Sequence, residues 1–214
     1  ALRIAESLMQ LAPKERGNAY TLALALIQRP MLLESTGQVD AAIAELRRAV
    51  EVSQVFAENP NANSGQMYVA YSGQAQLAML LQPRDSLEQS LARHLECEAL
   101  LQRLVDRFPH STHAPELELI RVVISGIEHS LGRRDVASER VDRALASLEE
   151  TAEKLPLNQA IARNVRYARG EFARQLVESD EFARAQILLE ANGRELEALA
   201  LLEPSNFLTG QDLV

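Results

Sequence analysis

Apolar residues recur along most of this chain at intervals of three and four, as in Ala42, Leu46, Ala49 and Val50, or Ala137, Val141, Ala144, Leu145 and Leu148. That spacing lays one apolar stripe along a helix, whereas a half-buried strand alternates every second residue. Breakers interrupt the pattern at regular intervals. Pro13, Pro60, Pro109, Pro156 and Pro204 are separated by 47, 49, 47 and 48 residues, and Gly37, Asp85, Gly132 and Asp180 advance by 48, 47 and 48. A proline ring removes a backbone donor and clashes with the preceding turn, so the first series marks helix ends and the second marks the turns between them. Interleaved at one period, the two series define a repeat of helix, turn, helix and terminator.

The pattern predicts a partial helix within 1–13, hairpins over about 14–60, 61–109, 110–156 and 157–204, and a tail over 205–214. First helices are expected near 18–35, 66–81, 115–131 and 158–178, and second helices near 39–58, 86–107, 135–154 and 181–202. Pro30 is expected to kink or break the first of these. A lone hairpin with one apolar face cannot bury it, while stacked neighbours create a continuous core. The expectation is therefore one all-α domain over 1–214, a solenoid of antiparallel helical hairpins. The sequence opens on an amphipathic pattern without an initiator Met, which suggests a piece of a longer protein.

The second helices carry a family resemblance. In the run from Gly37 to Ala49, the turn glycine, Ala42, Leu46 and Ala49 fall at the small and apolar positions of a tetratricopeptide repeat. The third repeat has Gly132, Ala137, Val141 and Ala144 there; the fourth has Asp180, Ala185, Leu189 and Asn192; the second departs furthest, with Ser90, His94 and Cys97. Small residues at such positions let helix backbones approach closely. Among first helices, Leu77, Ala78 and Leu81, and Phe172, Ala173 and Leu176, fit, whereas Arg29-Pro30 departs. The period near 48 exceeds the family's 34, and long arrays with Asn-Pro or Phe-Pro closing a second helix resemble those C-terminal to bacterial serine/threonine kinases. The resemblance implies a right-handed solenoid whose first helices line a concave groove.

Composition agrees with helix. Leu and Ala dominate, aromatics are 4%, and 214 residues include 9 Gly, 8 Pro and no Trp, a mixture poor in the β-branched and aromatic residues that strands favour. With 47% hydrophobic residues there is enough for a core, which argues against a β-sandwich, a barrel or a disordered chain. Lys and Arg number 22 against 30 Asp and Glu, a net charge of −8, so nucleic acid and anionic membranes are disfavoured as partners. Cys97 stands alone and allows no intrachain disulfide, in keeping with a cytoplasmic location. The longest apolar stretch, Ala19 to Ile27, is too short to span a bilayer.

Catalytic patterns are weak. Arg133-Arg134-Asp135 faintly resembles a kinase catalytic loop, but Arg140 stands where a metal-binding Asn is needed and no Asp-Phe-Gly follows. His94 and Cys97 share a helix face, but they occupy packing positions and lack two further ligands. His110 and His113, with Glu116 close behind, read as a solvated loop rather than a metal site. No cofactor, metal or catalytic residue is assigned. All four tyrosines, Tyr20, Tyr68, Tyr71 and Tyr167, fall in first helices, with Tyr20 and Tyr68 48 apart and Tyr71 and Tyr167 96 apart. They are therefore repeat features, either anchors at a peptide-binding surface or fillers between hairpins. Arg121, Arg166, Arg169 and Arg174 supply a local basic strip in the same helices or pair with Glu on adjacent helices.

The expected function is a non-catalytic scaffold that binds a protein or peptide segment in the groove. The rival is a regulatory, sensory or self-associating region of a larger bacterial signalling protein such as a serine/threonine kinase, with a homo-oligomer possible. An enzyme built on a helical toroid is disfavoured.

Overall fold

The computed structural model describes residues 2–12 and 15–202, with side chains through 199. Among these residues there are ten helices and no strand: α1 (Leu2–Leu11), α2 (Arg16–Gln28), α3 (Pro30–Ser35), α4 (Val39–Ala57), α5 (Ser64–Leu81), α6 (Leu87–Arg107), α7 (Ala114–Ser130), α8 (Arg134–Lys154), α9 (Gln159–Glu178) and α10 (Phe182–Leu202). The ends lie within about two residues of those the breaker series predicts. Pro13, Pro204 and the tail over 205–214 fall outside the described residues. Pro30 breaks its helix rather than kinking it: Arg29 separates α2 from α3, and Pro30 becomes the first residue of the new helix, where a missing N–H is harmless.

Three of the four predicted turns share one construction. Gly37 and Gly132 have φ of 77° and Asp180 has φ of 62°, the left-handed region that a helix uses to stop. At each, the following amide donates back to the third residue from the helix end: Gln38 to the Leu33 carbonyl at 2.7 Å, Arg133 to Glu128 at 2.9 Å and Glu181 to Leu176 at 2.8 Å. The left-handed residue itself donates one carbonyl further on, Gly37 to Glu34, Gly132 to His129 and Asp180 to Val177. The second hairpin differs because Pro83 occupies its turn. There Arg84 and Asp85 both donate to the Leu81 carbonyl, and Ser86 caps α6 reciprocally with Gln89.

A Cβ in the left-handed region is strained, and the three equivalent turns make that strain measurable. Asp180→Gly is expected to raise stability by about 0.5–1 kcal/mol, and Gly132→Ala to lower it by about 1–2 kcal/mol. Urea unfolding midpoints read both; a Gly132→Ala protein as stable as wild type would remove the assigned role of the turn.

The chain divides into two compact units, Ala1–Leu117 and Glu118–Val214. In the N-terminal unit, sequence neighbours pack: α1 on α2, α2 on α4 and α5, α3 on α4, α4 on α5 and α5 on α6. Ala5, Leu22, Leu26 and Ala49 form one buried cluster, and Ile43, Leu46, Leu77 and Leu81 another. In the C-terminal unit α9 packs on α8 and α10. Its core joins Val122 of α7, Val141, Ala144, Leu145 and Leu148 of α8, Val165, Phe172 and Leu176 of α9, and Ala185 of α10.

The register positions shared by the second helices are close-packed in α4, α6 and α8. Ala42, Leu46, Ala49, Ser90, His94, Cys97, Ala137, Val141 and Ala144 are all buried. In α10 the same register reads Ala185, Leu189 and Asn192, and there Leu189 is 52% exposed.

Candidate functional site

Two side-chain constellations stand out, one in each unit. The first grows from α5 of the N-terminal unit, which starts at a reciprocal cap between Asn63 and Gln66. One turn later, Tyr68 lays its ring against His113, with centroids 4.3 Å apart and planes 15° apart, and meets Tyr71 at 5.8 Å. The Tyr68 hydroxyl donates to Glu116 Oε1 at 3.3 Å, and His113 Nδ1 lies 3.6 Å from Glu116 Oε2. Burial raises the Glu116 pKa, against the opposing pull of His113 and the tyrosine hydroxyls. Burial also raises the Tyr68 and Tyr71 pKa values, with the Glu116 charge adding to it. Both phenols therefore stay protonated near neutral pH and act as donors. The cluster is a satisfied polar knot rather than a reactive one.

The second constellation is a groove of about 630 Å³ in the C-terminal unit, where the C-terminal half of α8, the N-terminal half of α9 and the C-terminal half of α10 meet. Ala152, Pro156, Ala162, Val165 and Leu199 supply an apolar lining, and Glu149, Glu153 and Glu195 supply acids. Arg169 crosses it. Its Nε and Nη2 donate to Glu149 Oε1 at 2.9 and 2.8 Å, and its Nη1 donates to Glu195 Oε1 at 2.5 Å, so one guanidinium of α9 holds a carboxylate from each flanking helix. Burial works to lower the Arg169 pKa, but these two carboxylates outweigh it and raise it. Arg166 Nη1 sits 3.9 Å from Glu195, and Asn192 Nδ2 donates to the Arg166 carbonyl at 2.9 Å.

The other candidates are dispersed. Tyr20 is half-buried, edge-on to Phe56 at 6.2 Å. Tyr71 is only 4% exposed, so its ring belongs to the core and offers no anchor to a partner. Tyr167 is half exposed on α9. Arg121 pairs with Glu118 at 3.0 Å, and Arg174 lies between Glu171 and Glu178. These partners lie on the arginine's own helix, whereas the pairing alternative assigns Glu on adjacent helices; Arg166 and Arg169 do reach such acids, Glu195 of α10 and Glu149 of α8. Of the residues weighed as metal ligands, His94 and Cys97 are both buried in α6, and burial pushes the thiol up to about 12. Such a thiol keeps its proton and packs as a small apolar group. Glu149, which the sequence places with Glu150 on a solvated face, lines this groove instead, and Glu153 and Glu195 were not singled out by the sequence, because only the tertiary contact between α8, α9 and α10 distinguishes these acids from other surface acids.

An all-helical chain whose hairpins recur every 48 residues and pack neighbour on neighbour has a helical-repeat-like fold. No family model and no curated protein matches the sequence. Among solved structures it is similar to that titled crystal structure of BtubC (BKLC) from P. vanneervenii, with 14% identity and a TM-score of 0.54 over 92% of this chain and 88% of that one. At this identity the likeness concerns the fold. No helix among the described residues is long and apolar enough to cross a membrane.

Proposed function

We infer that the chain is a non-catalytic interaction scaffold that binds a protein segment. The observation that carries this reading is the α8–α9–α10 groove: an apolar floor large enough for several side chains, bordered by acids and held open by a guanidinium already committed to both walls. A largely preformed surface of this kind limits the ordering needed on binding, and a few anchors then supply most of the affinity. With Glu153 unpaired among the described residues and a chain charge of −8, an amphipathic segment bearing basic residues fits the groove.

The test uses groove residues that hold nothing else together. Arg169→Glu would crowd a third carboxylate between Glu149 and Glu195, and Tyr71→Ala would empty a core position, so neither separates binding from folding. Ala162→Arg and Glu153→Arg fill or invert the groove from partly or fully exposed positions. Each is expected to weaken binding to a partner segment, mapped on a peptide array and measured by fluorescence anisotropy, by tenfold or more at unchanged melting temperature. Full affinity in both variants would remove the groove assignment.

The exposure of Leu189 favours a second reading, self-association within a larger signalling protein. Phe182, Ile187 and Leu189 on α10 are all more than half exposed, and the positions equivalent to Leu189 in the other repeats are buried. If α10 forms a subunit contact, Leu189→Glu lowers the mass measured by light scattering; an unchanged monomer in both proteins ends this reading.

A further inference from the structure

The charges that line the groove between α8, α9 and α10 do not balance. Three carboxylates, Glu149, Glu153 and Glu195, face two guanidiniums, Arg166 and Arg169. Glu195 lies near both arginines, and the remaining donors of Arg169 go to Glu149 Oε1. Glu149 Oε2 and both oxygens of Glu153 carry no ion pair among the described residues. These two acids stand one helical turn apart on α8, a spacing that puts Cβ atoms about 5–6 Å from each other. A planar guanidinium can hold two carboxylates at once, as Arg169 already does with Glu149 and Glu195. An ammonium lacks that fork and serves as a point charge.

The groove also continues past Pro156. An open depression over residues 154–160 shares Pro156 and Gln159 with it and carries it across the loop between α8 and α9. Leu155 and Leu157 line this extension, and Leu157 is 92% exposed. Equivalent loops are polar at the position after the proline, with Asn61 following Pro60 and His110 following Pro109. The repeat therefore does not need a leucine there. A leucine left in water at such a place gains only when another apolar group covers it.

With the groove as the binding site, as inferred above, we propose that the partner segment inserts one arginine between Glu149 and Glu153 and lays large apolar side chains over the groove floor and over Leu157. The arginine brings the lining to equal numbers of cations and carboxylates. It takes the one acid of the groove that no side chain of the chain itself engages. Glu153 is exposed in the free protein, and the bound segment withdraws it from water, which is where a charge-assisted hydrogen bond becomes selective.

A random peptide library displayed on phage and selected against the whole chain tests this. The selected peptides are expected to share one arginine beside large apolar residues. In fluorescence anisotropy with the synthetic consensus peptide, replacing its arginine by glutamine should weaken binding about tenfold or more, and replacing it by lysine should weaken it less. Glu153→Gln in the protein should cost as much with the arginine peptide and little with the glutamine peptide, and Leu157→Ser should weaken both alike. A consensus without a basic residue overturns the proposal, as does an arginine whose contribution survives Glu153→Gln, or full affinity in Leu157→Ser. Ala162→Arg distinguishes that failure from failure of the groove itself. Peptides that need no arginine but are lost in Ala162→Arg leave the groove as the binding site, whereas selected peptides indifferent to Ala162→Arg, or no selected peptide at all, remove the groove and the proposal together.

Discussion

Arg140→Ala is expected to lower the stability of the chain by about 3 kcal/mol. Arg140 on α8 faces Glu128 on α7 in a two-pronged pair, Nε to Oε2 at 2.9 Å and Nη2 to Oε1 at 3.1 Å. The two ends differ in environment: the Glu128 side chain is 6% exposed and that of Arg140 is 23%. Truncating the arginine strands a carboxylate that water barely reaches. Breaking a buried pair in this way typically costs about 3–5 kcal/mol, and the partial exposure of Arg140 places it at the lower end. Removing both charges together is a different experiment. Glu128→Leu with Arg140→Met leaves no orphaned ion and should recover most of the loss, since apolar replacement of a buried pair is often neutral. Urea midpoints of Glu128→Leu, Arg140→Met and the double variant, read against wild type, give the coupling. A double variant no more stable than Arg140→Ala would show that packing, not charge, is lost.

The second large effect has the opposite sign. His94→Leu is expected to stabilise the chain by about 1–2 kcal/mol. His94 Nδ1 is 2.8 Å from the Ser90 carbonyl, and a carbonyl only accepts, so Nδ1 carries the proton and Nε2 is a bare acceptor. That acceptor is buried without a partner, as is the neighbouring Ser90 hydroxyl. A buried polar atom left unsatisfied costs about 1–3 kcal/mol. The equivalent positions of the other repeats say what the fold accepts there: Leu46, Val141 and Leu189 for His94, and Ala42, Ala137 and Ala185 for Ser90. Ser90→Ala combined with His94→Leu should therefore add to the gain. A fall in the urea midpoint for His94→Leu would mean that the imidazole holds a partner, such as a bound water, which leucine cannot replace.

The helical hairpins were legible because breakers act locally. Proline and a left-handed turn stop a helix whatever surrounds them, and Gly37, Gly132 and Asp180 do so with the same hydrogen bonds. The close-packed register was legible for the same reason: Ala42 and Ala137 are small wherever two backbones converge. Whether Pro30 kinks or breaks its helix was not, since both outcomes satisfy the missing N–H. The groove was legible only in part. Arg166 and Arg169 drew attention as cations in a first helix, but their acids lie about 20–29 residues away and meet them only through packing of three helices. Gln175 left no signal at all. A polar residue on an amphipathic helix reads as solvated, and nothing in its neighbours announces that Ser125, fifty residues earlier, stands opposite.

The left-handed turns also bear on how the chain opens to solvent. Loop amides usually exchange their hydrogens freely, but those of Gln38, Arg133 and Glu181 are held at 2.7, 2.9 and 2.8 Å by carbonyls of the preceding helix. Each is released when the turn and helix end that hold it open. The chain thus carries three reporters in equivalent hydrogen bonds, one each in the first, third and fourth repeats, whose exchange, once each intrinsic rate is divided out, ranks the local opening of the turns without any label.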